Sequence, residues 1–321
     1  MNRKRTVVLT LPGSQHIAAG MMRELNLEPS RFSKFDLTPF TGGELYMRVI
    51  NDDPGCLRGK DVVLTASIHD HTDFFNVLLA QDLLVHKGVR RLFIAMPYLA
   101  YCTQEREVHP NDAVPARMIA TQLAAGAGAY QGISRILLDT HTDGIQNYFP
   151  ACHVPEVMQG KSILLPAIKK LGLSEGDFVV ASADLGRPKW IASYANLLRA
   201  RFALANKRRA GEHSETDQFV GGDFNGKDVV LYDDLTRSGR SAVQALNLYT
   251  ENGATGGYLV LSHLAANNEA ALQVLVDSPF KRIIVTDSHR WSQHPIVQDS
   301  SKFVVCETAP RLARRVADVF Y

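Results

Sequence analysis

The stretch VVLYDDLTRSGRSAVQAL, residues 229–246, combines an apolar run, a charged turn and the start of a helical pattern. The apolar run ends in two adjacent aspartates, Asp233 and Asp234. Small residues and two arginines follow, and the apolar spacing from Arg240 onwards predicts a helix. A turn between a strand and a helix presents main-chain N–H groups and the positive end of the helix dipole, which favour phosphate. The stretch therefore predicts an α/β fold with a ligand site at the carboxyl end of a strand.

Both aspartates are suited to hold ribose hydroxyls, or a magnesium ion through water, and the turn is suited to hold a phosphate group. The hydroxyl groups of the turn add hydrogen-bond donors. We predict a ribose-phosphate site made of the charged, hydroxyl-bearing and glycine residues of this turn, namely Asp233, Asp234, Thr236, Arg237, Ser238, Gly239, Arg240 and Ser241.

Short β-branched runs alternate with helical patterns along the rest of the chain. The predicted strands are 6–11, 61–67, 90–97, 134–141, 177–184, 227–234, 256–263 and 281–288. Apolar residues at three- and four-residue spacing predict helices between them, for example over 73–88, 114–129 and 240–254. The alternation predicts mainly parallel sheets flanked by helices. We expect two similar α/β domains, 1–150 and 151–321, with a mobile polar loop at 211–219.

Composition narrows the class of protein. The chain has 321 residues, is 45% hydrophobic and 21% charged, and carries 35 basic and 33 acidic residues. This balance gives no support for a nucleic-acid or membrane partner. The four scattered cysteines predict neither a zinc site nor a disulfide framework. With no signal peptide or membrane span in the pattern, we expect a cytoplasmic protein.

Further segments resemble motifs of the ribose-phosphate pyrophosphokinase family. The opening stretch resembles its phosphoribosyl-diphosphate loop. MPYLAYCTQER (96–106) resembles the P-Y-x-x-Y-x-R-Q-D/E-R segment, which contacts ATP in that family. DTHTDGIQNYF (139–149) resembles the D-L-H-x-x-Q-I-Q-G-F-F segment, whose histidine is a magnesium ligand. Three shorter matches are PFTGGELYMRV (39–49) to F-S-D-G-E, SADLG (182–186) to S-P-D-x-G, and NKRR (206–209) to the start of the flexible catalytic loop.

The resemblance implies two phosphoribosyltransferase-like domains related by duplication. It implies transfer of the β,γ-diphosphate of ATP to the 1-hydroxyl of ribose 5-phosphate, with Mg²⁺ as cofactor. It also implies a homo-oligomer, a dimer or hexamer, with ATP sites shared across subunits. The site residues that it implies are Lys207, Arg209 and His141 for catalysis, Gln104, Glu105, Arg106 and Glu44 for ATP, and His141 and Asp184 for the metal.

The chain departs from the family pattern at several of these positions. Thr103 replaces an arginine, Gly42 an acid and Arg187 a glycine. The family's D-T-G-G-T loop reads RSGRS here, with Arg237 in place of the acid and Arg240 in place of a glycine. Two added guanidiniums supply charge-assisted donors for phosphate oxygens. The altered loop predicts an acceptor whose 5′ end differs from a lone phosphate.

Three interpretations follow from these departures. The first is a divergent pyrophosphokinase that still uses ribose 5-phosphate. The second is the same transfer to ADP-ribose, as in a viral branch of similar enzymes, giving ADP-ribose 1-diphosphate for NAD⁺ resynthesis. The third is a non-catalytic regulatory subunit, which the retained His141, Asp184 and Lys207 disfavour because a dead subunit does not need metal and cation positions together.

Overall fold

The computed structural model describes residues 3–50, 57–128, 130–182, 188–210 and 213–320, without the side chains of 206–210 and 213–218. The chain forms two compact units. The first contains Met1–Gln159, Ser288–Arg290 and Glu307–Tyr321, and the second contains Gly160–Asp287 and Trp291–Cys306. This grouping differs from a division at residue 150 because the C-terminal segment belongs to the N-terminal unit. Within the described residues, no helix is both long and apolar enough to span a membrane.

The first unit is built on a seven-stranded sheet of described residues. Its strands are β1 Thr6–Thr10, β2 Phe32–Pro39, β3 Leu45–Ile50, β4 Asp61–Thr65, β5 Arg91–Met96, β6 Ile133–Leu138 and β7 Glu156–Met158. Their order is β3-β2-β1-β4-β5-β6-β7, and only the edge pair β2–β3 is antiparallel. Helices of this unit are α1 Gln15–Glu24, α2 His71–His86, α3 Pro115–Ala125 and the final helix Ala309–Phe320.

The second unit repeats this topology. Its strands are β8 Phe178–Ser182, β9 Arg201–Ala210, β10 His213–Gly221, β11 Asp228–Thr236, β12 Gly256–Leu264, β13 Ile283–Thr286 and β14 Phe303–Cys306. Their order, β10-β9-β8-β11-β12-β13-β14, is that of the first sheet, with one antiparallel pair at the same edge. Its helices are α4 Lys161–Lys169, α5 Pro188–Leu198, α6 Arg240–Glu251, α7 Glu269–Val276 and α8 Pro295–Gln298, and the final helix is numbered α9.

Three inner strands of the two sheets are buried along their whole length. Every residue of β1, β4 and β8 is buried. Such strands consist of continuous apolar runs because helices cover both of their faces. The predicted class, two mainly parallel sheets flanked by helices, is confirmed.

The polar segment 211–219 was predicted as a mobile loop, and this prediction is wrong for residues 213–219. They belong to β10, which pairs antiparallel with β9 and has a register shift between Thr216 and Gln218. A strand at the edge of a sheet carries polar residues at many positions, so its sequence shows little apolar periodicity. Residues 211 and 212 lie outside the described part of the chain.

Tyr249 joins α6 to the sheet of the second unit. Its side chain is fully buried, and its hydroxyl lies 3.0 Å from the carbonyl oxygen of Ser182 and 3.1 Å from that of Ala203. These carbonyls belong to the neighbouring strands β8 and β9. The hydroxyl therefore satisfies main-chain acceptors inside the core.

We expect Tyr249→Phe to lower the free energy of unfolding by about 1–2 kcal/mol, because buried carbonyls lose a donor while the ring remains. Chemical denaturation monitored by fluorescence measures the change. Tyr258→Phe is the control. It removes the hydroxyl of Tyr258 on β12 but keeps the ring, over which Lys281 Nζ lies. An equal loss of stability in both variants would contradict the assigned role of the Tyr249 hydroxyl.

Candidate active site

A cavity of about 440 Å³ opens on the first unit. It brings together three of the predicted nucleotide-binding residues and the predicted metal-binding histidine. Its lining consists of Thr103, Gln104, Glu105, Arg106, Val108, Asp112, Ala113 and His141. These residues come from two segments of the chain separated by about one β–α unit.

The sheet topology explains why these segments meet. Strands β5 and β6 are parallel neighbours, with Met96 opposite Leu137. The segments that follow them, 97–106 and 139–149, therefore leave the sheet at the same edge. Parallel strands place ligand-binding residues at their carboxyl ends in this way.

The walls of the cavity are held by local hydrogen bonds. Gln104 N donates to the carbonyl oxygen of Tyr101 at 2.8 Å, closing a turn in which Tyr101 has a φ of +67°. The carboxylate of Asp112 accepts from Val108 N at 3.1 Å and from His109 N at 2.8 Å. Asp112 was not among the predicted site residues. The turn-forming run HPND (109–112) is the signal in the sequence that marks this loop.

Arg106 is the exposed cation of the cavity. Its side chain is 79% exposed, and its Nε lies 3.6 Å from Oε1 of Glu105, whose side chain is 18% exposed. An exposed ion pair of this kind contributes little to stability. The guanidinium can therefore turn to a polyphosphate ligand at small cost.

The side chains near the cavity can be compared with those that the predicted magnesium site requires. Among the residues that the structure describes, no group of three or more His, Cys, Asp or Glu side chains is arranged to hold a metal ion. Magnesium usually keeps several waters and is bound through one or two carboxylates together with substrate phosphates. His141 at the cavity would supply a nitrogen ligand. The second predicted ligand, Asp184, lies outside the described residues.

The second unit contains the predicted ribose-phosphate loop. Both aspartates belong to β11, near its carboxyl end. Asp234 is 4% exposed, whereas Asp233 is half-buried and its Oδ1 accepts from Asp234 N at 2.9 Å. Of the two carboxylates, that of Asp233 is the more accessible to a ligand.

The turn after β11 is short, and α6 begins at Arg240, where the apolar spacing predicts a helix. The turn comprises Arg237–Gly239, and Arg240 and Ser241 already belong to the first turn of α6. Oγ1 of Thr236 accepts from Gly239 N at 3.2 Å, and Asn267 N donates to the carbonyl oxygen of Arg237 at 3.0 Å.

Ser238 and the two arginines complete the turn. Oγ of Ser238 accepts from Arg240 N at 3.4 Å. A hydroxyl that accepts such a bond can still donate its own proton to a ligand. Arg237 and Arg240 are exposed beside the N-terminus of α6. Carboxylates at the strand end and cations at the helix start suit a ligand with hydroxyls on one side and phosphate on the other.

Three further predicted residues contribute no described side chain to the cavity or to the loop after β11. Glu44 is exposed in the turn between β2 and β3, where its carbonyl oxygen accepts from Phe40 N at 2.8 Å, and it does not line the cavity. Lys207 and Arg209 lie on β9, and their side chains are outside the described part of the structure.

The chain resembles proteins of one family. Residues 6–128 match the family described as the N-terminal domain of ribose phosphate pyrophosphokinase. The ribose-phosphate pyrophosphokinase of Corynebacterium efficiens is 29% identical over 99% of this chain and 94% of its own length. That of Porphyromonas gingivalis is 29% identical over 72% of each chain. The crystal structure of phosphoribosylpyrophosphate synthetase from Mycobacterium smegmatis covers 98% of this chain and 99% of its own, with a TM-score of 0.82 and 25% identity.

The repeated sheet topology and the strand–turn–helix at 228–251 define an α/β protein with two mainly parallel sheets flanked by helices. The agreement with these relatives extends over almost the whole chain. The chain is therefore similar, over almost its whole length, to ribose-phosphate pyrophosphokinases.

Proposed function

We propose that this protein transfers the β,γ-diphosphate of ATP to the 1-hydroxyl of ribose 5-phosphate, forming phosphoribosyl diphosphate and AMP. The observation that supports this most is the cavity in which His141 meets Gln104, Glu105 and Arg106. A nucleotide triphosphate needs a cation and polar groups along one wall, and this cavity supplies them. Phosphoryl transfer depends mainly on positioning and on neutralising charge, which such side chains provide.

In the proposed reaction, the 1-hydroxyl oxygen of the sugar forms a bond to the β-phosphorus of ATP. The bond between the β-phosphorus and the oxygen bridging to the α-phosphorus breaks, AMP leaves, and the hydroxyl loses its proton. Arg106 would balance phosphate charge at the cavity. Lys207 and Arg209 would stabilise the transferring group. Mg²⁺, held by the ATP phosphates with His141 and Asp184, would neutralise further charge.

The acceptor would bind at the loop of the second unit. Asp233 and Asp234 would accept from the ribose hydroxyls, and the helix N-terminus with Thr236 and Ser238 would hold the 5′-phosphate. Following the resemblance, Glu44 would reach the nucleotide of a neighbouring subunit in a homo-oligomer, a dimer or hexamer. Its exposure in the β2–β3 turn is compatible with that role.

A second candidate reaction is the same transfer to ADP-ribose, giving ADP-ribose 1-diphosphate. The observation that favours it is the exposure of Arg237 and Arg240 on either side of Gly239. Two guanidiniums can bind the diphosphate of ADP-ribose, which carries more negative charge than a single phosphate. A non-catalytic regulatory subunit is the third candidate, and it requires that both acceptors remain unreacted.

A direct comparison of acceptors tests these candidates. Purified protein is incubated with Mg-ATP and either ribose 5-phosphate or ADP-ribose, and product mass is followed. We expect conversion of ribose 5-phosphate. Reaction with ADP-ribose alone would replace transfer to ribose 5-phosphate by transfer to ADP-ribose as the proposed function. No product from either acceptor would support a regulatory subunit.

We expect Arg240→Gly to lower kcat/KM for ADP-ribose about tenfold more than for ribose 5-phosphate, if both react, because a charge-assisted bond to the extra phosphate is lost. Steady-state kinetics with each acceptor measures the ratio. Arg282→Gly, an exposed arginine before β13, is the control. An unchanged ratio would show that Arg240 does not distinguish the acceptors.

A further inference from the structure

Tyr148 connects the two segments that form the cavity. Its hydroxyl donates a hydrogen bond to the main-chain carbonyl oxygen of Glu105. Tyr148 is half-buried and ends the short 3-10 helix Asp143–Tyr148. The side chain is therefore part of the His141 segment, and its partner is part of the Gln104–Arg106 segment.

The carbonyl that accepts this bond belongs to the wall of the cavity. Glu105 lies between Gln104 and Arg106, and all three line the cavity. On the N-terminal side of this wall, Gln104 N donates to the carbonyl oxygen of Tyr101. The carbonyl oxygen of Gln104 accepts a long hydrogen bond, from Ala116 N at 3.4 Å. The bond from Tyr148 thus holds the peptide that carries the Arg106 side chain.

The 3-10 helix is itself well anchored. Ile145 is fully buried, and Gln146 Nε2 lies 3.4 Å from the carbonyl oxygen of Pro155. The helix begins two residues after His141 and ends at Tyr148. A shift of the Glu105 peptide relative to His141 would therefore have to break the Tyr148 bond.

Tyr148 stands where the family segment quoted above, D-L-H-x-x-Q-I-Q-G-F-F, has a phenylalanine. A phenylalanine fills the same space but has no donor. The hydrogen bond thus adds a constraint that packing of the ring alone does not supply.

We propose that Tyr148 is a positioning residue for the nucleotide triphosphate. It fixes the Glu105 peptide so that Arg106 and His141 keep the spacing that the phosphates require. This inference rests on the proposed function for the identity of the ligand. The geometric part, the anchoring of residues 103–106 by Tyr148, stands on the hydrogen bond alone.

The test compares Tyr148→Phe with Tyr130→Phe. The Tyr130 hydroxyl also donates to a main-chain carbonyl in the first unit, that of Val89 at 2.9 Å, away from the cavity. Both variants keep the ring and remove one hydroxyl. Equilibrium binding of ATP and of ribose 5-phosphate is measured, together with nucleotide-free amide hydrogen exchange of the peptides covering 103–108.

We expect Tyr148→Phe to weaken ATP binding about fivefold, the loss of one ordinary hydrogen bond, and to leave binding of ribose 5-phosphate unchanged. Exchange over 103–108 should become faster in Tyr148→Phe and not in Tyr130→Phe. Equal ATP binding by the wild type and Tyr148→Phe, or equal weakening by both variants, overturns the inference.

The inference and the proposed function fail in different ways. If the wild type does not bind ATP, the proposed function fails, while the exchange data still test the anchoring. If Tyr148→Phe does not fold, Tyr148→Trp, which keeps an aromatic ring but displaces the donor, replaces it in the same measurements. Unchanged exchange over 103–108 in the variant that folds overturns the inference whatever the ligand.

Discussion

Replacing Gly239 by alanine lowers the free energy of unfolding by about 2–4 kcal/mol, from left-handed backbone strain and steric overlap together. Gly239 has a φ of +74°, and a Cβ built there would lie 2.9 Å from Cγ of Leu275 and 3.3 Å from Cγ1 of Val274. Leu275 is itself 1% exposed, so it has little room to move. The turn that carries Ser238 into α6 therefore depends on glycine at this position.

Gly226→Ala is the matched control. Gly226 has nearly the same φ, +70°, but an added Cβ there meets nothing within 4 Å. Gly226→Ala should lower the free energy of unfolding only by the backbone strain, about 1 kcal/mol. Chemical denaturation of both variants separates strain from overlap. If Gly239→Ala costs no more than Gly226→Ala, the packing of the turn against α7 is not what we describe. The proposed phosphate site also predicts a raised KM for ribose 5-phosphate in Gly239→Ala alone.

We expect Asp233→Asn to lower kcat/KM for ribose 5-phosphate in the proposed reaction about 100-fold, equivalent to about 2.7 kcal/mol. The half-buried carboxylate is proposed to accept from ribose hydroxyls, and an amide replaces one acceptor oxygen by a donor and removes the charge. The local turn should survive, because the remaining Oδ1 of asparagine can still accept from Asp234 N, as the aspartate does at 2.9 Å. The loss is therefore expected in catalysis and not in folding.

The control for this variant is Asp223→Asn. Asp223 is an exposed aspartate in the same unit whose Oδ1 accepts from Asn225 N at 2.9 Å. Steady-state kinetics with each substrate varied in turn, together with thermal unfolding, distinguishes the two sites. Full activity in Asp233→Asn would remove Asp233 from the acceptor site. A similar loss in Asp223→Asn would indicate a general effect of charge.

The sequence predicts the centre of each sheet better than its edges. Strands β4 and β8 are buried along their length and have apolar centres, so both ends are predicted to within two residues. The missed strands include β3 and β14, in which most positions are half-buried or exposed. An edge strand is covered on fewer sides, and its composition reflects the sheet less strongly.

The meeting of Gln104 with His141 could be expected from the sequence, because Gln104 follows one predicted parallel strand, 90–97, and His141 ends another, 134–141. The hydrogen bonds that hold the cavity wall could not be expected from the sequence. Tyr148 and its acceptor on Glu105 are far apart in the chain, and their pairing depends on how a 3-10 helix is placed. The start of α6 at Arg240 agrees with the helix predicted over 240–254, whereas the left-handed φ of Gly239 just before it was not predicted.

The central claim is transfer of a diphosphate and not of a single phosphate. Phosphorus NMR of the protein with Mg-ATP and ribose 5-phosphate tests it directly, since AMP and ADP give distinct spectra. We predict that AMP and a sugar carrying a diphosphate on its 1-oxygen appear in equal amounts. Formation of ADP with a singly phosphorylated product, or no consumption of ATP in the presence of the sugar, would contradict the account.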